Sequence, residues 1–392
     1  MTAAHETYDV GIVGAGVHGV AAAYHLARRG VRVAVFERLT PAAGPTGRSG
    51  GICRAYYTDP CLVETARDGI AFLDAFEERT GGGQSGFRRT GAFYLHGPDD
   101  VAAAGRTAAR LAEAGVPSEV VPAADLPERL PGLDLGGVAV AVWEPGAGFA
   151  DPFATTLGLA EAARRHGADL LTRHRVARIA EGPGQVAVTT ADGREVAVGH
   201  LLVAAGPWTA ALLCPLGIDL PLTVERHVVA VLEHDLADTA EIVPHVLIDV
   251  AGGHYSTPQP RTQFLVGGVV PASQADPDDF LAAPRESELA RLARAAARRS
   301  PARRRAAVTG GWASLYDASP DWQPVTGRVG ERIFVDAGTS GHGFKLAPAW
   351  GEHVARLVLG EATDPRLAAF GPERFAAGTT LAAGFGAARI LG

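Results

Sequence analysis

The chain has 392 residues, 47% of them hydrophobic and 20% charged, which fits a globular protein of one large or two ordinary domains. A formal net charge of −7 with no offsetting basic stripe argues against a nucleic-acid partner. Cys53, Cys61 and Cys214 lack CxxC spacing, so neither a disulfide framework nor a metal site is expected.

In chain order, Tyr8–Gly14 reads as a buried strand, Val17–Arg29 as a helix closed by Gly30, and Val31–Phe36 as a second strand. Strand, helix and parallel strand open a doubly wound α/β sheet. Leu39–Asp59 has no clear period and is expected to be a long functional loop. Helical patterns follow at Cys61–Thr80, Val101–Ala114 and Pro152–His166. A small meander over Arg175–Val198 leads to a separate buried strand, His200–Gly206. Strands dominate from about Leu220 to Leu315, broken by a helix near Glu286–Arg299. The densest basic stretch, Arg298, Arg299, Arg303, Arg304 and Arg305, is expected to be a solvated corner. A last buried strand, Arg332–Gly338, precedes a glycine-rich turn and a helix over about Leu346–Leu359.

This order predicts a discontinuous Rossmann-type domain from residues 1–80, 150–215 and 320–392, and a strand-rich, mixed-sheet substrate domain from 81–149 and 216–319. Such discontinuity disfavours a simple nicotinamide dehydrogenase. No apolar run reaches membrane-span length, and no basic start and apolar centre of a signal peptide precede the first strand; a cytoplasmic protein is expected.

Gly14-Ala-Gly16-Val17-His18-Gly19 matches G-x-G-x-x-G in the required context, after a strand and at the opening of a helix. The helix start offers free N–H groups and a favourable dipole to a pyrophosphate. Glu37 closes the second strand, where a carboxylate accepts hydrogen bonds from ribose hydroxyls and repels the extra phosphate of NADP. The fingerprint alone does not say which dinucleotide binds.

Gly338-Thr-Ser-Gly341-His342-Gly343-Phe344-Lys345 forms the second notable turn. Its glycines allow backbone to approach a flat ligand, and the helix start beyond it would stabilise negative charge on a reduced flavin. Lys345 is the only lysine among 36 basic residues. It is suited to bind a substrate carboxylate or to support reduced flavin; otherwise it is a lysine at a helix start reaching for water.

Gly341-His-Gly-Phe-Lys-Leu-Ala-Pro348 resembles the C-terminal flavin motif of the monomeric sarcosine oxidase family, and the N-terminal fingerprint is similar to the wider D-amino-acid oxidase and glycine oxidase group. The resemblance implies an FAD-dependent oxidase or dehydrogenase acting on the C–N bond of an amino acid or a secondary or cyclic amine acid. Its carboxylate would be held by Arg54, in the loop after the second strand, and by Lys345. Tyr255, Tyr316 and, more weakly, His227 fall near the substrate pocket. The expected cofactor site adds Arg38, Arg48, Ser49, Gly50, Val176, Ala205, Gly206 and Trp208 to the two glycine motifs.

Two departures from the family stand out. The covalent flavin cysteine falls at Ser314, and the linking histidine of related dehydrogenases falls at Gly47, so FAD is expected to be non-covalent. The oxygen-activating lysine falls near Phe264–Val266, where there is none, so dioxygen or another electron acceptor is left open. Two rival readings are a tailoring dehydrogenase acting on a larger or carrier-bound substrate and a flavin-binding electron-transfer subunit.

Overall fold

The computed structural model describes residues 7–235, 243–270, 272–381, 385, 388 and 391. The helices that bear on the site are α1 (Val17–Ala27), α2 (Pro60–Asp74), α3 (Pro152–Arg165), α4 (Glu286–Ala297) and α5 (Gly343–Leu359). Asp59 caps α2 by accepting from Cys61 N at 2.8 Å, and Asp151 caps α3 by accepting from Phe153 N at 2.9 Å. Neither α1 nor α5 is capped by a side chain at its own N-cap position, and Val17 N, the first of α1, donates to Thr46 Oγ1 at 3.3 Å.

An 8-stranded sheet forms one core. Its parallel centre runs in the order Asp169–Thr172, Val33–Glu37, Thr7–Val13, Glu195–Val203, Ile333–Ala337. This is the Rossmann-type arrangement, and α1, α3 and α5 pack on it through alanine-rich faces. The last meander strand and the buried strand expected at His200–Gly206 are in fact one strand, Glu195–Val203. Its first half pairs antiparallel with Gln185–Thr190 and its end pairs parallel with Ile333–Ala337. A change of neighbour, rather than a turn, separates its two halves.

A 9-stranded mixed sheet forms the second core, assembled from strands between Ala92 and Glu144 and between Thr223 and Ala318. We propose the two sheets as the centres of the two domains expected from the sequence. The basic corner needs partial correction: Arg298, Arg304 and Arg305 are exposed, but Arg299 and Arg303 are buried. Arg299 makes a bidentate pair with Asp249, with Nη2 at 2.8 Å, and also donates to Gly136 O at 2.9 Å. Arg303 donates to Ser256 Oγ at 3.1 Å and lies over Phe264. The counter-ion sits on a strand about fifty residues away, out of reach of a local charge pattern.

α5 begins at Gly343, earlier than expected, so Lys345 lies within its first turn. Its position is fixed by close helix packing. A Cβ on Gly69 of α2 would stand 2.1 Å from Lys345 O, and a Cβ on Gly351 would stand 2.8 Å from backbone of α1. Gly69→Ala must therefore push α5 outward at the lysine, an overpacking cost of about 1–3 kcal/mol. Thermal unfolding is expected to show a lowered Tm; an unchanged Tm would mean that the helix start shifts freely.

Candidate functional site

A cleft of about 360 Å³ runs between the two sheets from the first glycine motif to the second. Gly14 adopts φ +105°, and a Cβ there would stand 2.4 Å from Ala204 O, so the turn admits only glycine. Glu37 accepts from Ala15 N at 2.9 Å and from Leu39 N at 2.8 Å, which fixes its carboxylate on the cleft wall. The far end is closed by Arg38, which stacks on Trp208 at 3.8 Å and pairs with Asp278 at 3.1 Å.

Of the residues expected from sequence, Gly14, Gly16, Val17, His18, Glu37, Arg38, Arg48, Ser49, Gly50, Val176, Ala205, Gly206, Trp208, Gly341, Gly343 and Phe344 line this cleft. So do His227, Tyr255 and Tyr316. Gly19, Gly338 and His342 do not. Gly19 instead permits close contact of α1 with the strand, since a Cβ would meet Gly14 O at 2.0 Å. Gly338 sits in the turn at φ +61°. His342 is wholly buried and stacks on Tyr57 at 5.5 Å; burial, then Lys345 and Arg54, hold its imidazole well below the ordinary range.

A smaller pocket of about 50 Å³ joins the cleft through Ser49, Gly50, Tyr255, Tyr316, Gly341 and Phe344, which line both. Arg54 and Lys345 line the small pocket, at 4% and 5% exposure. Lys345 Nζ donates to His342 O at 3.1 Å, and Arg54 Nη1 donates to Tyr56 O. Both cations lie against the Tyr57 ring, at 4.4 Å for Arg54 and 5.7 Å for Lys345. The remaining wall is apolar: Ile52, Ile248, Val269 and Leu391. His227 stacks on Tyr316 at 3.8 Å, and its Nε2 lies 3.1 Å from Glu225 Oε2.

Several supporting residues escaped sequence reasoning. Glu144 is buried behind Arg54, accepts from Ala55 N at 2.8 Å and from Tyr94 Oη at 2.6 Å, and so pins the loop that aims the guanidinium. Asp336 lies 2.8 Å from His18 Nδ1, while His18 Nε2 lies 3.1 Å from Gly343 O, tying the start of α1 to the start of α5. Asp317 accepts from Gly338 N at 2.7 Å and holds the second glycine turn. The available signal was a lone acid closing or interrupting an apolar strand, as in Val140–Glu144 and Ile333–Ala337. Tyr57 was visible only as a neighbour of Arg54.

The fold and the cleft define a flavoprotein oxidoreductase. The chain matches the FAD dependent oxidoreductase family over residues 9–357, and it belongs to that family. It is 29% identical over 391 residues to monomeric sarcosine oxidase of Streptomyces avermitilis, covering 95% of this chain and 98% of that one. It is 26% identical to glycine oxidase of Bacillus licheniformis, covering 91% and 94%. Among solved structures, L-proline dehydrogenase from P. horikoshii superposes with a TM-score of 0.86 at 26% identity, covering 96% and 100%. Glycine oxidase from Geobacillus kaustophilus gives 0.82 at 26% identity, covering 94% and 98%.

FAD is the cofactor, and the residues present fit it: a glycine-made hollow at the start of α1, with an oriented carboxylate beside it. Covalent attachment is closed at both family positions. Ser314 lines the cleft with a hydroxyl, and a Cβ on Gly47 would stand 2.2 Å from Ala42 O, which leaves no room for a histidine. Acid precipitation is expected to leave a colourless pellet and a yellow supernatant; yellow retained in the washed pellet would contradict this. Among the described residues no cluster suits a metal ion and no helix is long and apolar enough to cross a membrane.

Proposed function

We propose that this enzyme oxidises the Cα–N bond of a small amino acid, or of a secondary or cyclic amine acid, to the imine. The observation that carries the reading is the meeting of Arg54 and Lys345, far apart in sequence, in one buried pocket that opens onto the cofactor cleft. A guanidinium and an ammonium grip a carboxylate through charge-assisted hydrogen bonds, the strong kind. FAD, when bound, supplies the two-electron acceptor, reached by hydride transfer from the substrate α-carbon.

The chain's own residues do the rest. Arg54 and Lys345 anchor the carboxylate at the closed end of the pocket. Tyr255 and Tyr316 stand where the pocket meets the cleft and orient the α C–H bond towards it. The apolar wall excludes water and accepts a compact aliphatic or ring side chain. No described acid lines the pocket, so the amine is held neutral, as C–N oxidation requires. The resulting imine hydrolyses in water. A volume of about 50 Å³ favours a free small acid over a carrier-bound substrate.

Lys345→Met is expected to lower kcat/KM by about 30-fold or more, the equivalent of roughly 2 kcal/mol for an unpaired desolvated carboxylate. Unchanged kinetics would remove the lysine from the site. The test of the whole reading is anaerobic mixing with glycine, sarcosine, proline, pipecolate and both enantiomers of common amino acids. Bleaching of the flavin by at least one supports it, and no bleaching by any of them overturns it.

The strand at Gln263–Gly268 offers no ammonium to the flavin, and its Phe264 and Val266 pack under α4 instead. Reoxidation of the reduced enzyme by air is therefore expected to be slow, with another acceptor faster. Stopped-flow reoxidation in air at the speed of a true oxidase would refute this.

A further inference from the structure

The charge balance of the small pocket has a further consequence. It contains two buried basic side chains, and its described lining includes neither a carboxylate nor an imidazole. The groups facing Lys345 come from every packed element. The loop after the second strand supplies Arg54, the Cys53 thiol and Tyr57. Glu144 stands behind that loop, engaged with Ala55 N and Tyr94. The second sheet supplies the phenols Tyr255 and Tyr316, and His342 lies at the start of the lysine's own helix. α2 approaches with the Gly69 backbone.

Few of these can take up a proton near neutrality. Burial pushes the Cys53 thiol and the Tyr316 phenol up to about 12, and Tyr255 higher still. His342 lines neither cavity. Arginine does not deprotonate in proteins. Burial, reinforced by the Arg54 charge, drives Lys345 well below the ordinary ammonium range, against the weaker pull of Cys53 and Glu144.

An amino acid in neutral water carries an ammonium group, and oxidation of its C–N bond requires the nitrogen lone pair. Resting on the carboxylate-clamp reading above, we propose that Lys345 waits as a neutral amine and accepts the substrate's ammonium proton as the zwitterion docks. One N–H bond of the substrate breaks and its electron pair stays on the substrate nitrogen. One N–H bond forms on Nζ from the lysine lone pair. The charge of pocket plus ligand does not change and no redox partner is involved. The product of the exchange is the arrangement the reaction needs: a neutral amine beside a carboxylate gripped by two cations.

The test uses the FAD-loaded enzyme and two unreactive ligands of like shape. 2-Aminoisobutyrate is a zwitterion without an α-hydrogen, and isobutyrate is its amine-free counterpart. Flavin absorbance reports occupancy, and a pH indicator in weak buffer at about pH 8 reports protons. An ordinary lysine would be fully charged at that pH. Isobutyrate binding is expected to take up about one proton per site, whereas 2-aminoisobutyrate takes up none. Isobutyrate affinity should fall about tenfold per pH unit above the resting lysine pKa, while 2-aminoisobutyrate affinity stays flat. In Lys345→Arg, isobutyrate should bind without proton uptake and with flat pH dependence. Isobutyrate binding to the wild type without uptake would overturn the proton transfer and leave the clamp standing. If neither ligand perturbs the flavin, the clamp falls and the proton transfer with it.

Discussion

Holding two basic side chains together out of water, before any anion arrives, is the condition on which the rest of this site depends. Arg54 and Lys345 lose most of their hydration in a small pocket, where burial and the Arg54 charge disfavour a second charge on Lys345. Burying charge is costly, and groups around the pocket lower that cost without lining it. Tyr57 offers its π face to both. Glu144 contributes negative charge from behind the loop while its oxygens stay committed to Ala55 N and Tyr94. On the proposed function, a protein carboxylate inside the pocket would occupy the place of the substrate's own. Keeping the acid one layer back leaves the pocket electropositive and, on the proposed function, open to the carboxylate of a substrate.

The same economy of position links pocket and cofactor cleft. The starts of α1 and α5 both line the cleft, and their relative placement sets how its two ends align. His18 joins them. Its Nδ1 meets the Asp336 carboxylate and its Nε2 meets the Gly343 carbonyl, an environment of two acceptors that suits the doubly protonated ring. Burial opposes that charge, yet Asp336, with Asp317 and the Gly343 carbonyl, leaves the histidine pKa raised. Asp336 in turn accepts from Thr326 and Trp350, so the link is anchored to α5 by a second route. The lysine in the first turn of α5 is thus tied to the nucleotide fingerprint through a few short bonds.

Local pattern carried the nucleotide half of the fold a long way. The glycine turn, the helix behind it and Glu37 lie within one short βαβ stretch, where spacing and periodicity report geometry directly. The pocket was different. Nothing in the spacing of Arg54 and Lys345 brings them together; their pairing came from family resemblance, and the fold supplies the reason in the packing of α2 on α5 at Gly69. Glu144, Asp317 and Asp336 went unread because an acid in an apolar strand acquires meaning only from partners on other elements. Arg299 was misread for the same reason: a basic run looks solvated until Asp249, on a distant strand, is known to lie beneath it.

The two tyrosines show how the second sheet finishes what the first begins. Tyr255 lies in a hollow that exists because Gly267 has no side chain; a Cβ there would stand 2.4 Å from the phenol oxygen. Tyr316 lies equally close to Gly341, where a Cβ would come within 2.4 Å of the ring. Each ring is therefore held by a backbone surface, and His227 stacked on Tyr316 removes the remaining freedom on one side. Rings confined in this way form a rigid throat between pocket and cleft. On the proposed function, a carboxylate held beyond the throat and an acceptor before it would leave the α-carbon little choice of position, and such prepaid orientation is a large contribution a protein can make when the cofactor carries the chemistry. On the same reading, selectivity would fall to the apolar wall of Ile52, Ile248, Val269 and Leu391, where size does the sorting.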